Sequence, residues 1–474
     1  MRPIQLRRGV FGGLLGFFAT GLAVVGFLGC GASTPEPRSG GLVCEGCNVV
    51  LISLDTLRAD HLSAYGYERR TSPVLDELAE DGVLFEQFIQ NGGGTLPSHL
   101  TMLTSLHPIT HGVQPSNGKS LAPSHQTLAE RLHEAGYHTA AFTDAGWMRA
   151  KFGFAQGFDV FDEAAGHLEK ILPKAEGFLR DNADRPFFLF LHTYDIHSQE
   201  EGQPYGCPGG YEQEFWPEGV DFDGCRDGRC ATELLHWANE SMEAGTLEVE
   251  ELFTSEEVET LRAGYDGCIR YADEQVGRLL DQLRELDLYD RTLVIVTSDH
   301  GEEFLEHGRF LHRTGGYEVL AHIPLIVKLP YSTLQGQRVR HLTAMVDLMP
   351  TVLDLVGVEG PAEQMQGRSL VEAMQNDAPV RQATHLYRVL RTERWKYFGQ
   401  QQGKLYDLST DPDEQVDLLE SYELDPRLVA MLDGLVAEDH QLREQLAAQA
   451  SDEGSAVTLS EQEIRELKAL GYLD

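Results

Sequence analysis

Asn48-Val-Val-Leu-Ile-Ser-Leu-Asp55 is the stretch on which the fold turns. Its aliphatic run has no polar alternation, which predicts a strand buried on both faces, and it stops abruptly at a carboxylate. Outward from it, Ser72-Pro-Val-Leu-Asp-Glu-Leu-Ala-Glu-Asp-Gly82 carries a cap, helical spacing and a glycine stop. The same signals predict strands over 83–88, 139–143, 187–192, 292–298 and 324–329. Helices are predicted from Thr95 onward and over 124–135, 168–180 and 256–286. Strands alternating with helices imply an α/β fold, a mostly parallel sheet sandwiched by helices. From residue 381 the pattern changes. Strands over 386–390 and 395–398, a turn at Asp411-Pro-Asp-Glu414 and helices over 426–448 and 460–470 predict a smaller α+β unit spanning 381–474.

The chain has 474 residues and a formal net charge of -37, with 75 acidic side chains against 38 basic ones. That balance disfavours nucleic acid and anionic membrane surfaces as partners. Arg2, Arg7 and Arg8 precede an apolar stretch that ends at Phe27-Leu-Gly-Cys30. Residues 1–29 are read as an export signal and 30–47 as a tether, with lipid attachment at Cys30 in a bacterial cell envelope. An uncleaved membrane anchor is the alternative. Six further cysteines suit an exported chain with disulfides, and the sequence leaves their pairing open. Cys44-Glu-Gly-Cys47 reads as a structural loop rather than a redox or zinc pair. Cys207, Cys225 and Cys230 lie in a Gly-, Pro- and Glu-rich insertion over 199–254. They are expected to staple it down together with Cys268, taken to open the next helix.

Gly92-Gly-Gly-Thr95-Leu-Pro-Ser-His99 sets a hydroxyl at the mouth of a helix, where free N–H groups favour an anion. Alone, Thr95 reads as an ordinary helix cap. Three strand ends change that reading. Asp55 ends the first strand, Asp195 and His197 follow the strand over 187–192, and Asp299 and His300 follow the strand over 292–298. Ligands collect at the carboxyl ends of strands in such sheets, so these groups together predict a metal site beside Thr95.

The same residues resemble the sulfatases of the alkaline phosphatase superfamily. The similar stretches are Asn48–Asp60 with Tyr65-Gly66, Phe152–Asp159, Thr297-Ser-Asp-His-Gly-Glu302 with Glu306-His-Gly308, and Tyr317-Glu318. Val346–Thr351, Gln366–Leu370, Leu405-Tyr-Asp-Leu408 and Leu470-Gly-Tyr-Leu473 complete the set. The resemblance implies an alkaline-phosphatase-like catalytic domain over 48–380. It also implies a divalent cation on Asp55, Asp299 and His300, with Thr95 as a further ligand. His197 and His312 match positions that contact the ester or protonate the leaving group, and His99 stands where the family has Arg. A second metal near Asp195, His197 and His312 is an open alternative, and His107, His111 and His322 are read as structural.

Two departures matter. The family oxidises a Cys or Ser to formylglycine, whereas Thr95 is a secondary alcohol and would give a ketone. The family's Asp-Asp pair is Asp55-Thr56 here. A directly acting Thr resembles the nucleotide pyrophosphatase/phosphodiesterases instead. The expected protein is therefore a metal-dependent hydrolase of small-molecule or glycan sulfate or phosphate esters, acting through Thr95 without formylglycine. A phosphodiesterase, a phospho-group transferase and a non-catalytic metal-binding protein are the alternatives. One lost carboxylate and a histidine ligand favour Zn or Mn, while Ca or Mg with water also fits. Oligomeric state is not legible.

Overall fold

Eight strands form the central sheet of the computed structural model. They are β1 (Asn48–Leu54), β2 (Val83–Phe85), β3 (His138–Phe142), β4 (Val160–Asp162), β5 (Phe187–Thr193), β6 (Thr292–Thr297), β7 (Leu325–Lys328) and β8 (Gln337–Val339). Their order is β8-β2-β7-β6-β1-β5-β3-β4. β1 runs parallel to both neighbours, with Val49 opposite Phe188 on one side and Leu293 on the other. β7 runs antiparallel to β6 and β2, so the sheet is mostly parallel rather than wholly so. The structure describes residues 42–474 apart from 164–165, 200–201, 221, 313–314, 387, 400–402, 421–425, 451–453, 471 and 473–474. The export signal, Cys30 and most of the tether lie outside the described residues.

The unbroken apolar character of β1 has a direct packing cause. Val50, Ile52 and Leu54 face one core, with α1 (Pro73–Glu80) through Leu75 and Leu78. Val49 and Leu51 face the other, with α2 (Thr95–Thr104) through Leu96 and Leu100 and α3 (Leu128–Glu134) through Leu128 and Leu132. α4 (His167–Asp181) and α5 (Ser255–Glu285) cover the first face, and α6 (Leu348–Val356) covers the second. With both faces buried, alternation has no purpose, and every β1 residue is buried.

The second unit is a four-stranded antiparallel sheet: β9 (Ala383–Leu386), β10 (Val389–Thr392), β11 (Trp395–Phe398) and β12 (Lys404–Asp407). Helices α7 (Pro426–Ala448) and α8 (Glu461–Ala469) follow. The sheet packs on Ile89, Ala321 and Leu342 through Leu386, Val389 and Phe398. Its fully buried Lys396 bridges Glu318 at 2.8 Å and Glu414 at 3.1 Å, and Arg391 reaches Glu318 at 3.1 Å. The buried Lys396 and Arg391 are matched by the buried Glu414 and the half-buried Glu318.

Several expectations are corrected. The predicted strand over 386–390 straddles the β9–β10 turn, because Leu386 pairs directly with Val389. The helix predicted over 124–135 starts at Leu128, where Thr127 and Glu130 form a reciprocal capping box. The strand predicted over 83–88 breaks into Val83–Phe85 and Phe88–Ile89, which join different sheets. Cys268 does not open a helix. It is buried midway along α5, next to Cys207, and both are free thiols. Disulfides join Cys44 to Cys47 and Cys225 to Cys230. The insertion is therefore closed locally rather than stapled to α5 by a disulfide.

Candidate active site

Thr95 stands at the first position of α2, and Gly94 rather than Thr95 is the cap. The hydroxyl is thereby released from capping the helix. Gly92 permits the turn, since a Cβ there would lie 2.2 Å from the Ser98 backbone nitrogen. Thr95 Oγ1 donates to Asp55 Oδ2 at 3.3 Å and lies 3.3 Å from His300 Nε2. Asp55 leaves the end of β1, and Asp299 and His300 leave the end of β6. Adjacent parallel strands thus deliver all three to one rim, as expected from the sequence.

One oxygen or ring nitrogen from each of Asp55, Asp299 and His300 lies within 4.8 Å of the other two, and all three residues are buried. Among the described residues this is the one His, Cys, Asp and Glu group with that geometry. Asp55 Oδ1 and Asp299 Oδ2 are buried and accept no hydrogen bond. His300 Nδ1–H donates to the Gly301 carbonyl at 2.9 Å, which turns its Nε2 lone pair toward the carboxylates. Two orphaned anionic oxygens and an oriented imidazole are the donor set of a divalent cation. Burial and the facing Asp299 push the Asp55 carboxyl well above its usual range. Burial acts on Asp299 in the same sense, but His300, His99 and His192 outweigh it and hold Asp299 low. Thr56 has a positive φ of 60°, and its N–H donates to Asp299 Oδ1 at 3.3 Å.

His197 and His312 sit beside this group, with their Nε2 atoms 3.2 Å apart. His197 Nδ1–H donates to the Ser198 carbonyl at 3.0 Å, and His312 Nδ1 faces Glu302 at 3.2 Å. Burial holds both imidazoles well below their ordinary range, and it lifts the Glu302 carboxyl to about 8. The Glu302–His312–His197 chain then closes only with one proton on the Nε2 to Nε2 axis. Arg58 fixes the Glu302 loop by donating to the Glu302 carbonyl at 2.9 Å and to Glu306 at 2.8 Å.

His99 lies beneath Thr95 and is fully buried. Its Nδ1–H donates to the Thr95 carbonyl at 2.9 Å, and Ser53 Oγ is 2.8 Å from its Nε2. Burial lowers it to about 3, so it is a neutral brace between α2 and β1. Asp195 does not join His197 and His312. Its Oδ2 accepts from Thr193 Oγ1 and from the Leu168 N–H at the start of α4. The second metal group on those three residues is not assembled.

His192 and Tyr472, which carried no role in the sequence, also contact the site. His192 Nε2–H donates to Asp55 Oδ2 at 3.1 Å. Its position at the end of the predicted strand over 187–192 was the available signal; in the sheet it pairs with Ser53, two residues before Asp55. Tyr472, inside the quoted Leu470–Leu473 stretch, sets its hydroxyl 2.6 Å from Thr95 Oγ1.

The sulfatase family model matches residues 47–358, and the model described as N-sulphoglucosamine sulphohydrolase, C-terminal, matches 305–441. Arylsulfatase K of Mus musculus is 25% identical over 86% of this chain and 83% of its own length. The arylsulfatase of Clostridium perfringens is 25% identical over 80% and 92%. In fold the chain is similar to the phosphonate monoester hydrolase of Agrobacterium radiobacter, with TM-score 0.66, 23% identity and coverage of 84% and 96%. It is equally similar to a protein solved with its substrate D-glucosamine-2-N,6-O-disulfate, with TM-score 0.66, 22% identity and coverage of 85% and 98%. With two thirds of its length inside one family model, the chain belongs to the sulfatase family of ester hydrolases.

Proposed function

We propose that this protein hydrolyses sulfate or phosphate esters of small molecules or glycans through Thr95 as a covalent nucleophile, without formylglycine. The observation that carries the reading is Thr95 Oγ1 at 3.3 Å from both Asp55 and His300, in contact with the cation-binding group. Asp55, Asp299 and His300 would hold a divalent cation, which lowers the pKa of a neighbouring hydroxyl and neutralises the tetrahedral anion. Asp55 Oδ2 accepts the Thr95 hydroxyl hydrogen in the resting site. The His197–His312 pair holds the proton that a departing alcohol needs, and Glu302 orients it.

A glycan sulfate is supported by the fold neighbour solved with a disulfated glucosamine. A phosphorus ester is supported by Thr95 itself, because a secondary alcohol cannot supply the formylglycine aldehyde. We also propose export to a bacterial cell envelope with lipid attachment at Cys30, and a division into a catalytic domain over 48–380 and a subdomain over 381–474. Labelling with radioactive palmitate, compared between wild type and Cys30→Ala, tests the attachment.

Turnover of p-nitrophenyl sulfate, p-nitrophenyl phosphate and bis-p-nitrophenyl phosphate, before and after chelation and metal add-back, tests the activity. Thr95→Ala is expected to lower turnover by at least about a thousandfold while the protein still takes up metal. Unchanged turnover in that variant removes Thr95 from the mechanism. Metal uptake with no turnover of any ester favours the non-catalytic reading.

A further inference from the structure

We propose that Tyr472 is a catalytic residue of this site, whose phenolic O–H stabilises the Thr95 oxyanion both when it attacks and when it is released. The inference rests on the reading of Thr95 as nucleophile.

The geometry is specific. The Tyr472 and Thr95 oxygens are 2.6 Å apart, the distance of a strong O–H to O bond, and the two residues are 377 positions apart in the chain. The ring is boxed by Trp147 at 6.0 Å, His197 at 5.3 Å and His312 at 5.5 Å between centroids. Its backbone is fixed as well. The Tyr472 N–H donates to the Leu467 carbonyl at 2.8 Å, and Leu467 is buried in the core. Helix α8 is held to the 149–151 turn by Lys151 with Glu463 at 2.6 Å and by Arg149 with Glu466. Gly146 completes the fit. A Cβ there would lie 2.7 Å from the Tyr194 hydroxyl and 3.0 Å from Leu470 Cδ1, so the bare backbone is what lets Leu470 approach. A tyrosine needed only as apolar cover has no reason to aim its hydroxyl at the reacting oxygen.

The step balances without further reagents. In the first half, Thr95 passes its hydroxyl proton to Asp55 Oδ2, to which it already donates at 3.3 Å, the Oγ–S or Oγ–P bond forms as the bond to the substrate alcohol breaks, and the His197–His312 pair protonates that alcohol. In the second half, water attacks and returns a proton to the pair. The Thr95 bond then breaks, its electron pair stays on Oγ, and Oγ takes its proton back from Asp55. Tyr472 keeps its proton throughout and donates a hydrogen bond to Oγ at both ends of the cycle.

The test is Tyr472→Phe in the full chain, beside Thr95→Ala, on p-nitrophenyl sulfate and p-nitrophenyl phosphate, with kcat and KM separated. We expect kcat to fall 10- to 100-fold, KM to stay within twofold and the melting temperature to stay within 2 °C. A wild-type kcat in Tyr472→Phe, with Thr95→Ala inactive, overturns the Tyr472 role and leaves the nucleophile standing. A raised kcat or a lowered KM overturns it too, because the tyrosine then obstructs the site. An active Thr95→Ala, or a wild type that cleaves neither ester, overturns both assignments together.

Discussion

Removing a ligand should stabilise this protein when no cation is bound. Asp55 and Asp299 face each other in a buried site, with ligand atoms inside a 4.8 Å span. Two unit charges at that distance repel by about 3.5 kcal/mol at an effective dielectric of about 20, an upper bound because the raised Asp55 carboxyl relieves part of it by taking a proton. Asp55→Asn deletes the repulsion. Its amide oxygen still accepts from Thr95 and His192, as Asp55 Oδ2 does now. Unfolding entropy of about 2.1 cal/mol/K per residue gives a chain of this size roughly 0.9 kcal/mol per degree. The variant in chelator should therefore melt up to about 4 °C above the wild type. Saturation with cation at about a hundredfold excess over Kd adds about 2.7 kcal/mol to the wild type, or about 3 °C, and much less to the variant. Differential scanning fluorimetry in chelator, followed by titration with Ca, Mg, Mn or Zn, reads both effects. An Asp55→Asn protein that melts lower in chelator and gains the wild-type increment from cation would falsify the cation-site argument.

His167 supplies a pH test away from the site. Burial opposes its charge, but Asp144 at 3.2 Å and Asp195 at 3.5 Å hold it up to about 9. The folded value is raised, so the stabilisation should be complete below about pH 6.5 and vanish as the pH climbs through 9. Melting curves of wild type and His167→Gln should differ at pH 6 and converge above pH 9, and a constant gap refutes the pairing. Alkylation of denatured, unreduced protein followed by peptide mapping should modify Cys207 and Cys268 and spare Cys44, Cys47, Cys225 and Cys230. A protected Cys207 means that it is oxidised. Thr95→Ser keeps a hydroxyl at the same point and should retain turnover that Thr95→Ala loses, which the nitrophenyl ester assays read directly.

The sheet was legible because β1, β5 and β6 each hold a run of at least four consecutive apolar residues that needs no tertiary help to be recognised. The cation group was legible for the same reason, since strand ends in a parallel sheet share a rim. What failed were features decided by partners. Nothing in 386–390 says that Leu386 and Val389 face each other across a turn. Asp195 reads like Asp299, a carboxylate just past a strand, yet the nearby start of α4 captures it. Tyr472 reaches Thr95 across 377 residues, a distance over which periodicity carries no information. Thr95 itself read as a cap on local grounds, and only the coordinates show Gly94 taking that duty.

The pairing of β1 has a consequence for how this chain acquires its shape. Asn48 finds its register against Thr292 and Val49 against Phe188, so the first strand waits for partners about 140 and 240 positions downstream. Long loops must close before those contacts repay their entropy, which makes folding slow and strongly cooperative. A fragment cut between residues 200 and 290 leaves β1 with a bare flank and a row of unpaired amides. Limited proteolysis in the 199–254 insertion should therefore spare the particle only while its halves stay clasped, and neither half should refold once they are separated.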